Sequence, residues 1–315
     1  MRFLSLGGLL VGGLFSLSAV ASDGAALLQR LAQAERTQSF SGTFVYERNG
    51  SFSSHSVWHQ VANDGVVRER LLQLDGAAKE VVRVDGQVQC ASGMLADQLT
   101  ETQLRPGREL EPAKLSQWYD LRILGESRVA GRATTVLALV PRDQYRHGIE
   151  LHLDQQTGLA VKSLLVNDKG QLLERFQFTH IQVGDVATDA LLPGAGCRPV
   201  RTAPATTQSA QVWSSQWLPP GFTLSSASPR RSPASDESVA CQVYDDGLAR
   251  FSVFIEPLND ATAEDVRSQL GPTVAVSRRL KTNNGDVMVT VIGEIPLGTA
   301  ERIALSIRSP DEAMP

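Results

Sequence analysis

The stretch Val81-Val82-Arg83-Val84-Asp85-Gly86-Gln87-Val88-Gln89-Cys90 decides the fold class. Its two arms are rich in β-branched residues, and Asp-Gly stands between them. That dipeptide supplies the positive φ angles that a tight two-residue hairpin requires. Upstream the same period of two recurs. Val66-Val67-Arg68-Glu69-Arg70-Leu71-Leu72 and Val57-Trp58-His59-Gln60-Val61 read as strands, and Phe40, Gly42, Phe44 and Tyr46 fall on one side of another. Downstream, strands are expected at 122–130, 133–141, 148–154, 160–167 and 172–183, the last two turns being Gln155-Gln156-Thr157-Gly158 and Asn167-Asp168-Lys169-Gly170. About nine successive strands joined by short turns make an antiparallel meander rather than a βαβ array. So large a sheet must curl, and a curled sheet has a concave side.

The flanks complete the domain plan. Residues 1–21 carry one charge, Arg2, then an apolar run closing in Ala19-Val20-Ala21, which reads as a signal peptide cleaved before Ser22. No later stretch approaches membrane-spanning length. Ser22 or Asp23 can cap a helix carrying Leu27, Leu31 and Ala34 on one face. Residues 91–120 are irregular apart from a short helix at 113–119, and could cover one mouth of a barrel. The large domain is thus 22–197. Residues 198–211, without acid or aromatic, read as a linker. A smaller α+β domain, 212–315, follows, with strands at 239–244, 248–256, 274–281 and 287–295 on a four- or five-stranded sheet. Ala300, Ile303, Ala304 and Ile307 form a helical stripe with Thr299 as cap, and the Ser/Pro-rich stretch 225–238 reads as an exposed loop.

Charge and motifs narrow the function classes. With 30 Lys+Arg against 34 Asp+Glu the chain has no electrostatic footprint for nucleic acid. The histidines His55, His59, His147, His152 and His180 form no H-E-x-x-H motif. His55 and His59 share a strand face, and two half-exposed strand residues are the simpler reading of that pair than a metal site. There is no G-x-S-x-G elbow, no G-x-G-x-x-G and no P-loop, so neither catalytic residues nor a cofactor are assigned. Of three cysteines, Cys90 and Cys197 fall in one domain and are the candidate disulfide, while burial of all three, Cys241 included, as small apolar residues is the alternative.

Two features invite binding. Phe44, Tyr46 and Trp58 could line the concave side of the sheet and accept an acyl chain, or could be ordinary core under the N-terminal helix. Arg142-Asp143-Gln144-Tyr145-Arg146-His147 offers guanidinium groups beside an aromatic, a composition suited to interfaces, or else forms a self-paired solvated loop.

Seven segments, in order, resemble the RseB/MucB family of periplasmic sigma-E regulators: FSGTFVY at 40–46, RVAGR at 128–132, PRDQYR at 141–146, LERFQFT at 173–179, WLPPGF at 217–222, DGLARFSVF at 246–254 and VTVIGEIP at 289–296. The set spans essentially the whole mature chain. One departure is Asp245-Asp246-Gly247 where Ser-Asp-Gly is expected, a conservative change for a turn. The resemblance implies an unclosed β-barrel similar to lipoprotein carriers of the LolA/LolB type, with a small domain behind it. It implies a periplasmic negative regulator that binds the periplasmic segment of an inner-membrane anti-sigma factor (RseA/MucA-like) and shields it from proteolysis. Envelope lipid such as lipopolysaccharide or a lipid A-like ligand would release it. On that reading Arg142, Tyr145, Arg146, Tyr244, Phe251 and Phe254 are expected to contact the partner. The competing expectation is a periplasmic lipid or lipoprotein carrier, with a hydrolase a distant third.

Overall fold

The computed structural model describes residues 17–77, 79–92, 111–200, 213–235, 237–258, 264–283 and 285–309, with the side chains of 17–22 excepted. Most of the expected linker, the stretch 93–110 and residues 1–16 of the expected leader lie outside these. Two sheets organise the chain, one of eleven strands and one of six.

The large sheet is antiparallel throughout. Its strands are β1 (Phe40–Arg48), β2 (Ser51–Val61), β3 (Val67–Gln73), β4 (Glu80–Val84), β5 (Gln87–Ser92), β6 (Tyr119–Val129), β7 (Arg132–Pro141), β8 (Gly148–Asp154), β9 (Ala160–Val166), β10 (Leu172–Val183) and β11 (Cys197–Pro199). Their spatial order is β11-β5-β4-β3-β2-β1-β10-β9-β8-β7-β6, so β1 pairs with β10 and the edges β11 and β6 do not meet. The barrel is unclosed. The Asp85-Gly86 turn has positive φ at both residues, as the hairpin reading requires. A bulge between Thr43 and Phe44 changes the phase of β10, so that Phe176, Phe178 and Ile181 all join the concave side. Gly42 is needed there, because a Cβ would strike the His180 carbonyl and the Phe178 ring.

Helix α1 (Leu17–Thr37) lies in the concavity. It begins upstream of the expected Ser22/Asp23 cap, and those two residues sit inside it. Leu28 and Leu31 pack on Leu121, Leu137, Leu139 and Leu153, with Leu115 and Tyr119 from α2 (Pro112–Trp118) and β6 closing the cluster. One helix about 10–12 Å wide cannot cover a sheet of eleven strands, about 50 Å across at a spacing near 4.8 Å. The helix fills the β6–β8 side and leaves the β1–β3 and β10 side open.

The small domain sheet runs β13 (Thr223–Arg231), β14 (Ser238–Asp245), β15 (Arg250–Pro257), β18 (Gly285–Gly293), β17 (Thr273–Thr282), β16 (Val266–Leu270), with β12 (Ser214–Ser215) and β19 (Ile307–Arg308) pairing apart. It has six strands rather than four or five, because the expected loop at 225–238 contains β13 and because β16 carries no alternation to betray it. Helix α3 (Leu297–Ser306) starts after Pro296, so Thr299 is buried inside it rather than capping it. Ala300, Ile303 and Ala304 of the helix pack on Val274, Val276, Val289 and Val291 of the sheet. Cys90 and Cys197 form a disulfide that staples β11 to β5, and Cys241, which is not part of it, is buried.

Candidate functional site

The uncovered part of the concavity is a hollow of about 880 Å³. Phe40, Phe44, Val57, Leu71, Phe176 and Phe178 form its apolar wall, and Ala32, Glu35 and Arg36 of α1 border it. A smaller space of about 290 Å³ adjoins it over Leu139, Ile149 and Leu151, sharing Glu35 and Ala160. Leu248 and Glu294, both from the small domain, line both spaces. The second domain therefore sits at the mouth of the hollow in the first.

The aromatic residues expected on this wall divide. Phe44 lines it, stacked on His55 at 5.0 Å between centroids and tilted against Phe176 at 4.6 Å. Tyr46 is on the same face at the rim, packed beside that cluster, and its hydroxyl donates to Glu174 Oε2 at 2.5 Å. Burial and that carboxylate push the Tyr46 hydroxyl far above its ordinary range. Trp58 is corrected: its register partner is Ser41, while Val57 and His59 on either side of it line the hollow, so Trp58 points to the convex face. There the Arg70 guanidinium lies over its ring at 5.1 Å and donates to Glu80 and to the Ala190 carbonyl. The two histidines flanking Val57 have separate partners, Ser53 for His55 and Glu69 for His59.

The arginine loop is a junction between the domains. Arg146 has a fully buried side chain and donates to Asp143 in its own loop, to Asp246 Oδ2 at 2.5 Å and to the Pro220 carbonyl at 2.5 Å. Trp118, Tyr119 and Phe222 surround its guanidinium at 5.1–5.6 Å. Asp246 uses Oδ1 to accept the Leu248 and Ala249 amides of its own turn, leaving Oδ2 for Arg146 and the Tyr119 hydroxyl. Burial and the Asp246 charge push Tyr119 far above the ordinary tyrosine range, so it remains a donor. The Trp118 ring occupies the place where a Cβ on Gly221 (φ +85°) would stand. Beside this contact Tyr145 meets Trp217 edge-on at 5.1 Å, and Arg302 caps both, 3.9 Å from the Trp217 ring and 3.1 Å from the Tyr145 hydroxyl. Arg142 stays half-exposed on Asp120.

Hence Arg146 and Tyr145 contact a protein surface, but it is the chain's own second domain. Tyr244, Phe251 and Phe254 are corrected too: all three are buried, Tyr244 and Phe251 stacked in the small domain core at 5.1 Å and Phe254 with Cys241 and Val243 on the opposite face. Across the mouth of the hollow a lighter contact joins the domains. Arg48 of β1 reaches Glu294 at 3.0 Å and Thr273, with Glu174 at 3.9 Å. Sequence reasoning missed Asp246, Arg48 and Glu294. A turn aspartate and rim charges carry no local signal of an interdomain role.

The fold and the hollow define a class: a two-domain β-sheet binding protein in which one domain holds an open apolar cavity and the other stands at its entrance. The model of the MucB/RseB N-terminal domain matches residues 23–196 and that of the MucB/RseB C-terminal domain residues 207–308. The chain belongs to the MucB/RseB family of sigma factor regulatory proteins. It is 62% identical over 302 residues to the sigma factor AlgU regulatory protein MucB of Pseudomonas aeruginosa, covering 95% of this chain and 96% of that protein. It is 27% identical over 305 residues to the sigma-E factor regulatory protein RseB of Escherichia coli, 94% of each chain. Against the complex structure of P. aeruginosa MucA/MucB the TM-score is 0.82 at 62% identity, over 91% of this chain and 99% of that one. Against the crystal structure of MucB it is 0.70 at 60% identity, over 91% and 98%.

Proposed function

We propose that this protein is a periplasmic negative regulator of a sigma-E-type envelope-stress response. It holds the periplasmic segment of an inner-membrane anti-sigma factor, protects it from proteolysis, and lets go when envelope lipid enters the hollow. The observation that carries this reading is the placement of the small domain at the mouth of an 880 Å³ apolar cavity, so that an occupant of the cavity touches Leu248 and Glu294 of the second domain. A ligand that prefers one domain arrangement must weaken a partner that prefers another by the same factor. The similarity to MucB seen in complex with MucA supports a partner of the MucA type. The periplasmic placement is supported by the leader reading of residues 1–21 and by the Cys90–Cys197 disulfide, which suits an oxidising compartment. The role is binding, not catalysis. We place the interdomain linker at 198–211.

A pull-down from envelope extract tests the partner: a single-pass anti-sigma factor should co-purify with the wild type. Phe44→Asp tests the hollow. A carboxylate in that wall costs several kcal/mol when covered by an acyl chain. The variant should therefore bind the anti-sigma segment as the wild type does in fluorescence anisotropy, yet no longer be released by lipopolysaccharide. Release unchanged in Phe44→Asp would place the lipid elsewhere. The carrier reading predicts instead that a chain ending before Val212 keeps full activity in cells.

A further inference from the structure

His147 ends the arginine loop, one residue before β8, and only 6% of it is exposed. The backbone of Ile295, just past β18, lies against its ring, so part of that cover belongs to the small domain. Neither Nδ1 nor Nε2 has a hydrogen-bond partner of good geometry among the described residues. A neutral imidazole tolerates such a place. An imidazolium brings a charge and two N–H donors, and burial without acceptors costs it far more. The charged groups around it are largely engaged elsewhere. In its own loop Arg146 pairs with Asp143, and across the junction with Asp246. Glu294, beside Ile295, is held by Arg48. Burial outweighs the pull of Asp168, exposed in the β9–β10 turn, and of the Ile295 backbone, and holds the ring below the ordinary histidine value of 6.5. Separating the domains returns the ring to water and removes that penalty.

We propose that His147 makes the junction between the domains acid-sensitive: proton uptake by its ring, which the closed arrangement opposes and the separated arrangement permits, shifts the protein toward separated domains as its surroundings acidify. The sign follows from linkage. Closing the domains lowers the proton affinity of the ring, so its contribution to the closed arrangement is complete above 6.5 and is lost as the pH falls from there toward the value of the buried ring. Glu174, at the rim of the hollow, works in the opposite sense, because burial and the nearby Glu294 raise its carboxyl in the closed arrangement. Tyr119, pushed far above the ordinary tyrosine range, stays protonated throughout and does not respond. Nothing in this device depends on what occupies the hollow.

Two measurements on the full protein test this. In a proton NMR titration the His147 imidazole, recognised by its absence from the spectrum of His147→Leu, should titrate below 6.5; a midpoint at or above that value overturns the proposal. Hydrogen exchange of the Leu248 and Ala249 amides, which are held on the buried Asp246 carboxylate, then reads the opening of the junction. Once exchange is corrected for its intrinsic pH dependence, protection in the wild type relative to His147→Leu should fall by up to about tenfold between about pH 7.5 and about pH 5.5, the most that one proton can supply one unit below 6.5. The ratio isolates His147, because Glu174 is present in both proteins. A constant ratio, or one that rises in acid, overturns the proposal, and burial of the ring is then the work of the large domain alone. His147→Gln, polar and of similar volume, takes the place of the leucine variant should that one fail to fold.

Discussion

Asp246→Ala will detach the small domain from the large one. The substitution leaves the Arg146 guanidinium buried among Trp118, Tyr119 and Phe222 with one carboxylate, Asp143, where it had two. It also leaves the Tyr119 hydroxyl without its acceptor. Breaking one side of a buried pair costs about 3–5 kcal/mol when the remaining charge is left uncompensated, and with Asp143 still on Arg146 the lower end of that range is expected. That is enough to loosen a domain contact whose remaining parts are the Tyr145, Trp217 and Arg302 cluster, Trp118 against Gly221, and the partly exposed Arg48–Glu294 pair, the last worth about 1 kcal/mol at most. The expected result is a melt that splits into two transitions and a broadened distance distribution between spin labels on the two domains. Arg146→Met and Asp246→Leu combined with Tyr119→Phe remove the interdomain pair and the hydroxyl that depended on it at similar volume and should restore a narrow distribution. A single unbroken transition and an unchanged distribution in Asp246→Ala would mean that the junction is held by something else.

Loss of the disulfide has the second large effect. Cys90 and Cys197 are 107 residues apart, and a cross-link closing a loop of that size contributes about 4–5 kcal/mol in the chain-entropy account. The double variant Cys90→Ser/Cys197→Ser should lower the melting temperature of the large domain by roughly 10–15 °C. In the Asp246→Ala background, where the two domains melt separately, the small domain, which holds neither cysteine, should melt at the same temperature with and without the disulfide. Strand β11 is only three residues long, so without the staple the edge of β5 should open and self-association increase. A large-domain melting temperature unchanged by the substitution would show that β11 docks without help.

How much of this was legible beforehand follows from what each signal measures. The meander of the large domain could be read strand by strand, because period-two alternation and turns such as Asp85-Gly86 report local geometry. Strand β13 could not. Its Ser/Pro-rich sequence looks like a loop, yet as an edge strand pairing only with β14 it tolerates Pro229, whose missing amide hydrogen is not needed by a second neighbour. Trp58 was placed on the wrong face because the side of a strand that is inward depends on its register with β1, and one residue reverses every side chain. Tyr244 and Phe251 look like exposed anchors until Trp213, Phe222 and α3 cover them. The arginine loop was legible as an interface but not as an internal one. Arg146 beside aromatics reads the same whether its acceptor is on another chain or one hundred residues further along its own.

The central claim is that the hollow and the anti-sigma partner communicate through the arrangement of the two domains. Its most direct test is the affinity for the periplasmic segment of the anti-sigma factor, measured by calorimetry with and without saturating lipid A-type ligand. Coupling of this kind is typically worth 1–3 kcal/mol, so lipid should weaken the segment by about 5–150-fold, and the segment should weaken lipid by the same factor. Equal affinity in the two conditions would contradict the account.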